Sequence, residues 1–250
     1  CDAENFEILM RMQRAQRRTD FIARPISTLP SFWAGLHRLT SAASEQNVLN
    51  VLETMRGYSN TASAWLHDFL PSRLKPWLTH QLDDYLQRFG MVWLGSEKNH
   101  ITFTYPEELD LFKTNSESTA AAWFPDPQAS YRYEQVVDKQ GSTGADFNEQ
   151  WWQAVWRGEL TSDSVEPLIQ GLERKFSIES TSNHLSSRRK IGRPGRTWSG
   201  YWHLTPTTLP MDPVTRLGAD KALVRLLLDR YGFLNRDLVL RENLQRDAQS

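Results

Sequence analysis

Three tryptophans within six residues constrain the fold of this chain more than any other feature. Residues 151–163 read WWQAVWRGELTSD. Trp152 and Trp156 recur at helical spacing and fall on one face of a helix. Gly158 predicts the turn that ends this helix, and a short strand begins at Leu160. A helix, a tight turn and a strand form the second half of a helix-turn-helix unit with a β-wing, so we expect the tryptophans to fill the core of a small module.

Composition excludes several classes of protein. The chain has 250 residues and a formal net charge of −1, so it is not a polybasic nucleic-acid binder as a whole, and any nucleic-acid surface must be local. No apolar run reaches the roughly 18 residues that a membrane helix needs, and no signal peptide is visible. A single cysteine, Cys1, excludes an internal disulfide and a thiolate zinc site. We therefore expect a cytoplasmic protein without a membrane partner. Because the first residue is not methionine, we expect a fragment of a longer chain.

Residues 45–105 carry the pattern of a complete winged helix. The predicted elements are helices over residues 45–58, 61–70 and 76–89, followed by strands over 91–94 and 101–105. Pro71 is expected to break the second helix, and Gly90 is expected to end the third. Three helices followed by a hairpin define this fold.

A similar pattern restarts after a segment rich in Ser, Thr, Ala and Pro. The second set comprises helices over residues 131–139, 147–157 and 165–172 and a strand over 159–161. We therefore predict an α+β fold, mostly α, built from tandem winged-helix modules. The predicted divisions are an N-terminal helical lead-in (1–44), a winged helix (45–113), an exposed connector (114–130), a second winged-helix-like unit (131–172), a basic linker (173–200) and an incomplete third module (201–250).

The sequence lacks the motifs of several catalytic sites. No glycine-rich run ends in the Lys-Ser/Thr pair that holds phosphate and magnesium, so the fragment is not expected to hydrolyse ATP. The histidines show no two-ligand spacing, so we predict no metal site. Asp83 and Asp84 are adjacent on a helix and diverge by ~100°, which favours a solvated face over a catalytic dyad. We identify no catalytic residue.

Local basic clusters remain as candidates for nucleic-acid binding. Because Asp83 and Asp84 would repel phosphates, we do not expect the helix over 76–89 to read bases. The candidate contacts near the first winged helix are Arg73, Lys75, Lys98 and His100. The candidates in the linker are Arg188, Arg189, Lys190, Arg193 and Arg196, which would follow a phosphate backbone unless the segment is only a solvated tether. Trp198 would either stack on a base or pack in the core.

Four segments, in order, resemble the C-terminal region of the large helicase-related (Lhr) family. Residues 51–58 (VLETMRGY), with ASAW and LPSR after them, are similar to the family's Leu-x-Gly, Pro-Ala-Ser-Ala-Trp-Glu and Ile-Leu-Pro-Ala-Arg motifs. Residues 156–167 (WRGELTSDSVEP) resemble a Trp-Ala-Gly-x-Val-Thr-Asn-Asp turn. IGRPG followed by GYW resembles a basic Gly-Arg-Pro linker before Gly-Arg-Trp, with Tyr201 where the family favours arginine. LLDRYGFLNRD, residues 227–237, resembles Leu-Leu-Glu-Arg-Tyr-Gly-Val-Val-Thr-Arg-Glu.

The resemblance implies a specific parent protein. It would be an ATP-dependent, 3′-to-5′ translocating helicase that acts on DNA or RNA:DNA hybrids and is tied to DNA repair. ATP and Mg²⁺ would be bound by helicase core domains elsewhere in the same parent chain, with no cofactor in this fragment. The fragment itself would be a nucleic-acid-binding accessory segment. Two alternatives stay open: a DNA-glycosylase-like module that excises uracil, and a structural segment that forms homo-oligomers.

Overall fold

The computed structural model describes residues 3–17, 23–39, 41–42, 44–112, 118–140, 144–178, 197–207 and 212–242. The chain divides into two compact units, Cys1–Gly35 and Leu36–Ser250. The described helices are α1 (Ala3–Gln16), α2 (Leu29–Leu36), α3 (Glu45–Thr54), α4 (Leu70–Arg73), α5 (Leu82–Phe89), α6 (Leu109–Phe112), α7 (Tyr133–Gln140), α8 (Gly144–Trp156), α9 (Glu166–Arg174), α10 (Pro213–Tyr231) and α11 (Arg236–Arg241). The described strands are β1 (Ser41–Ala42), β2 (Asn60–Thr61), β3 (Leu74–Lys75), β4 (Val92–Glu97), β5 (His100–Thr104), β6 (Leu160–Ser162) and β7 (Trp202–Leu204). The mostly helical α+β fold predicted from the sequence is confirmed.

The first winged helix contains every element that the sequence predicts. The hydroxyl of Ser44 accepts a hydrogen bond from Asn47 N–H and caps α3. Gly90 adopts a left-handed φ of 66° and ends α5. β5 lies between β2 and β4 in a three-stranded antiparallel sheet, which forms the wing. Two further short strands, β1 and β3, pair in parallel.

Pro71 does not end its helix, contrary to the sequence expectation. A π-helical turn over Ala64–Phe69 precedes α4, which continues through Pro71 to Arg73. Pro71 therefore lies inside a continuous helical run, and the wider π turn precedes the one residue that has no N–H to donate.

The second winged-helix unit includes a strand that the sequence pattern predicts in a third module. β7 pairs antiparallel with β6, with Leu204 opposite Leu160 and Trp202 opposite Ser162. Tyr131 also bridges to Trp202. Residues 202–204 thus complete the wing of the second unit, because β6 would otherwise remain an unpaired edge.

The predicted connector before this unit is packed in its described part. A 3₁₀ turn spans Thr119–Trp123, and both Ala120 and Phe124 are buried. Trp123 stacks on Trp151 with ring centroids 6.0 Å apart. The expectation of an exposed connector is therefore wrong for residues 118–124, because their apolar side chains join the aromatic core.

The two winged helices share one hydrophobic core. The Trp93 ring of β4 meets Trp202 of β7 edge to face at 6.0 Å, and Trp202 meets Trp151 of α8 at 5.3 Å. Gly95 lies directly against the backbone of Val155, where an added Cβ would be 1.9 Å from the carbonyl oxygen. The tryptophans of residues 151–163 therefore fill a core, as predicted, and that core extends into the first unit.

The long helix α10 packs on the first winged helix. Leu223, Leu226 and Leu227 form a small cluster with Phe112. Arg230 is buried, and its guanidinium donates a hydrogen bond to the carbonyl of Arg56. Within the described residues, no helix is both long enough and apolar enough to cross a membrane.

Candidate nucleic-acid interface

Asp83 joins the first winged helix to the second. Its Oδ1 accepts a hydrogen bond from Val165 N–H at 2.7 Å, and its Oδ2 accepts one from the Ser164 hydroxyl at 2.6 Å. These contacts cap the N-terminus of α9, where a carboxylate also complements the helix dipole. Asp84 next to it is exposed. The interpretation of both aspartates as a solvated face is thus wrong for Asp83, and the start of α5 is occupied by a neighbouring helix.

Two predicted contact residues are buried. Arg73 is 9% exposed; its guanidinium lies 3.8 Å from the Phe69 ring centroid and donates to the Phe69 carbonyl. Trp198 is 1% exposed, and its indole N–H donates to Asn148 Oδ1 at 2.7 Å. Of the two roles considered for Trp198, the structure therefore shows packing, since a ring enclosed on all sides offers no face to a base.

The structure brings two of the remaining candidates together at the tip of the wing. Lys98 is exposed in the turn between β4 and β5, and His100 Nδ1 lies 2.9 Å from the Lys98 carbonyl oxygen. Lys75 is exposed in β3. Arg188, Arg189, Lys190, Arg193 and Arg196 lie outside the described residues.

A groove of about 1140 Å³ lies between the tip of the wing and helices α8 and α9. We call it the wing groove. Its lining includes Thr61, Ser63, Ser96, Glu97, Lys98, Asn99, Asn148, Glu149, Trp152, Gln153, Trp156, Arg157, Leu172, Lys175, Phe176 and Ile178. The stacked rings of Trp152 and Trp156 lie 5.2 Å apart, and Phe176 packs edge-on against both. The groove thus combines a rigid aromatic floor with a polar rim.

Two exposed lysines on the rim come from different winged helices. Lys98 lies on the first wing, whereas Lys175 ends α9 in a left-handed conformation with φ of 53°. The sequence does not distinguish Lys175, because there it is one cation of the predicted basic linker. Its position on the same groove as Lys98 follows from the packing of the two winged helices.

Buried polar groups hold the walls of the wing groove. The Asn148 side chain donates to the Phe176 carbonyl at 2.9 Å and accepts from Trp198. Arg157 on the rim is held by Glu159, which is 2% exposed. Burial alone would raise the pKa of Glu159, but hydrogen bonds from Arg157, Thr119 and Ala120 N–H outweigh it and leave the pKa lowered.

The described residues contain no cluster of side chains suited to a metal ion. A three-helix core with a three-stranded wing, fused to a second unit with a two-stranded wing, defines a tandem winged-helix protein. Winged helices are frequent nucleic-acid-binding modules, and they present a helix or a wing to the duplex.

The chain is similar to known proteins of one helicase family. The family model described as "Large helicase-related protein, winged-helix domain" matches residues 25–105. The "Lhr helicase/uracil glycosylase" of Escherichia coli K12 is 28% identical over 254 residues, covering 87% of this chain and 15% of that protein. The "Lhr helicase/ probable uracil glycosylase" of Mycolicibacterium smegmatis is 23% identical over 281 residues, covering 96% of this chain and 17% of that protein. These matches support the assignment of the chain to a C-terminal region of the Lhr helicase family, and the chain spans about a sixth of the length of these relatives.

Proposed function

We propose that this chain is a nucleic-acid-binding accessory segment of an Lhr-type helicase. The observation that carries this proposal is the wing groove, where Lys98 and Lys175 flank an aromatic floor. The segment would position single-stranded or forked DNA, or an RNA:DNA hybrid, for helicase core domains elsewhere in the parent chain. The relatives span about six times this length, which leaves room for such domains.

The chemistry of the groove favours backbone binding over base reading. Lysine ammonium groups contact phosphates as point charges and carry no sequence information. Glu97 and Glu149 on the same rim limit the net positive charge. Binding would therefore be weak, independent of sequence and sensitive to salt.

The catalytic cycle of the parent would lie outside this chain. ATP and Mg²⁺ need a glycine-rich phosphate loop ending in Lys-Ser/Thr, and the sequence has none. The assignment to DNA repair rests on the family resemblance. The contribution of this segment would be to hold the nucleic acid, not to hydrolyse nucleotide.

Fluorescence anisotropy with labelled single-stranded and forked DNA, across a range of salt concentrations, tests the proposal. We expect binding at low salt, and we expect the Lys98→Ala/Lys175→Ala double variant to lower the slope of log K against log salt by about 1.4 for single strands. Lys221→Ala, an exposed lysine on α10, is the matched control and should leave the slope unchanged. The absence of binding by the wild-type chain at low salt would refute the proposal.

A glycosylase module is the second candidate, because the relatives are named as a uracil glycosylase and a probable one. The test is a gel assay for abasic sites with uracil-containing DNA and the chain in excess. Intact DNA would remove this candidate without affecting the binding proposal. If both functions failed, a homo-oligomer seen by light scattering would support the structural alternative.

A further inference from the structure

A second, smaller cavity lies away from the wing groove and shares no residue with it. Its volume is about 250 Å³, below the ~300–1,000 Å³ of pockets that enclose whole drug-sized ligands. The lining residues are Leu36, His37, Arg38, Asn50, Val51, Glu53, Thr54, Met55, Arg73 and Asp229. The volume suits a small ion or one end of a larger molecule.

Arg73 is the unusual member of this cavity. Its side chain is nine-tenths buried, and its Nε has no hydrogen-bond partner in the part of the chain that the structure describes. Nη1 donates to the Phe69 carbonyl and the Ser72 hydroxyl, both at 3.2 Å. No carboxylate of a described residue lies within ion-pair distance of this guanidinium. A buried cation without a counter-charge is costly, so the site favours an anion.

The positive charges near this cavity also affect the pKa of His37. Burial lowers the pKa of His37, and the charges of Arg73 and Arg230 lower it further. Burial also lowers the pKa of Arg73 itself. Both directions are those of groups that lie in a low-dielectric region with excess positive charge.

The carboxylates of the cavity do not neutralise this charge. Glu53 accepts a hydrogen bond from the Tyr105 hydroxyl at 3.1 Å, and Asp229 is exposed on α10. Arg230 donates to Glu242, whereas Arg38 adds another cation to the lining. The guanidinium of Arg73, whose Nε has no partner among the described residues and which has no carboxylate within ion-pair distance there, therefore remains the strongest anion-binding group.

We propose that this cavity binds a phosphate group, held by the guanidinium of Arg73 with His37 and Arg38 beside it. A guanidinium matches the geometry of phosphate oxygens with paired N–H donors. The group would be either free inorganic phosphate or the terminal phosphate of a nucleic-acid strand. The two sources share one chemistry, and the experiment below separates them.

The test follows the histidine ring protons of the whole chain by NMR as pH is varied, with a His37→Gln sample to assign the signal. Inorganic phosphate should raise the pKa of His37 by about one pH unit relative to chloride at equal ionic strength, since an opposite charge within ~4–6 Å shifts a pKa by ~1–3 units. An identical pKa in both salts would overturn the proposal. This outcome needs no variant of Arg73.

Variants then assign the binding group. Arg73→Met should abolish the phosphate-dependent change, Arg73→Lys should retain part of it, and Lys221→Ala should retain it all. A full change in a folded Arg73→Met protein would overturn the role of Arg73. If an oligonucleotide with a 5′-phosphate reproduces the change and its unphosphorylated copy does not, the ligand is the end of a nucleic-acid strand. If inorganic phosphate alone produces the change, the ligand is the free ion. If the Arg73→Met protein loses the phosphate-dependent change in the pKa of His37 but still binds DNA at the wing groove, this site is distinct from the proposed function.

Discussion

Asp83 and Val165 are joined by a hydrogen bond of 2.7 Å from the Val165 N–H to the Asp83 carboxylate, although they lie 82 positions apart. A capping interaction that is normally local therefore links two modules. Because both carboxylate oxygens are used, the start of α9 depends on the correct placement of α5.

Removing this cap should destabilise the whole two-module unit. We expect Asp83→Ala to lower the free energy of unfolding by about 1–2 kcal/mol, because two donors at the start of α9 lose their acceptor. Asp84→Ala is the matched control, since it removes an exposed carboxylate from the same turn. Urea denaturation measures both, and equal losses for the two variants would contradict the capping role.

The close approach of Gly95 to Val155 should tolerate no side chain. Gly95→Ala would place a Cβ 1.9 Å from the Val155 carbonyl oxygen, so β4 or α8 must shift, at a cost of about 1–3 kcal/mol or more. Gly218→Ala has open space and lies within α10, so it should stabilise the chain by ~0.5–1 kcal/mol. Thermal unfolding compares the Gly95→Ala and Gly218→Ala variants. If Gly95→Ala leaves the unfolding temperature unchanged, the interface between β4 and α8 is not tightly packed.

Stability at acid pH should depend on Glu159. Because its folded-state pKa is lowered, its contribution is complete above the pKa of an unfolded glutamate, about 4.3, and is lost as pH falls through the folded value. Glu159→Gln should therefore be less stable than the wild type at pH 7 by about 1.5–3 kcal/mol. The difference should narrow as pH falls below 4. Denaturation curves at several pH values measure this difference in the free energy of unfolding. A difference that stays constant with pH would contradict a contribution from the Glu159 carboxylate.

The basic segment remains a predicted second contact region. If Arg188 and Arg189 both touch phosphate, the Arg188→Ala/Arg189→Ala variant should lower the salt slope by up to ~2. An unchanged slope in the anisotropy experiment would assign the segment to the tether role. The wing-groove variant provides the comparison, because its lysines lie on packed elements.

Local signals in the sequence predict most of the first winged helix. Gly90 ends its helix, and the alternation on either side of the turn predicts the β4–β5 hairpin, because each signal acts over a few residues. The core role of the tryptophans in residues 151–163 follows from helical spacing in the same way.

Long-range pairings account for what the sequence did not show. β6 pairs with β7 across the whole basic segment, so β7 was placed with the wrong module. Nothing in the sequence around Asp83 indicates that its hydrogen-bond partners lie in another module. The position of Lys98 and Lys175 on one groove depends on the same packing. These relationships arise from tertiary structure, which periodicity does not encode.

The contact between Trp93 and Trp202 has a mechanical consequence. Because a shared core replaces a flexible hinge, the wings that carry Lys98 and His203 are held at a set separation and orientation. A nucleic-acid strand bound along the wing groove would therefore contact two winged helices at a fixed spacing, not two domains joined by a flexible linker. Force applied to one winged helix would then displace both together.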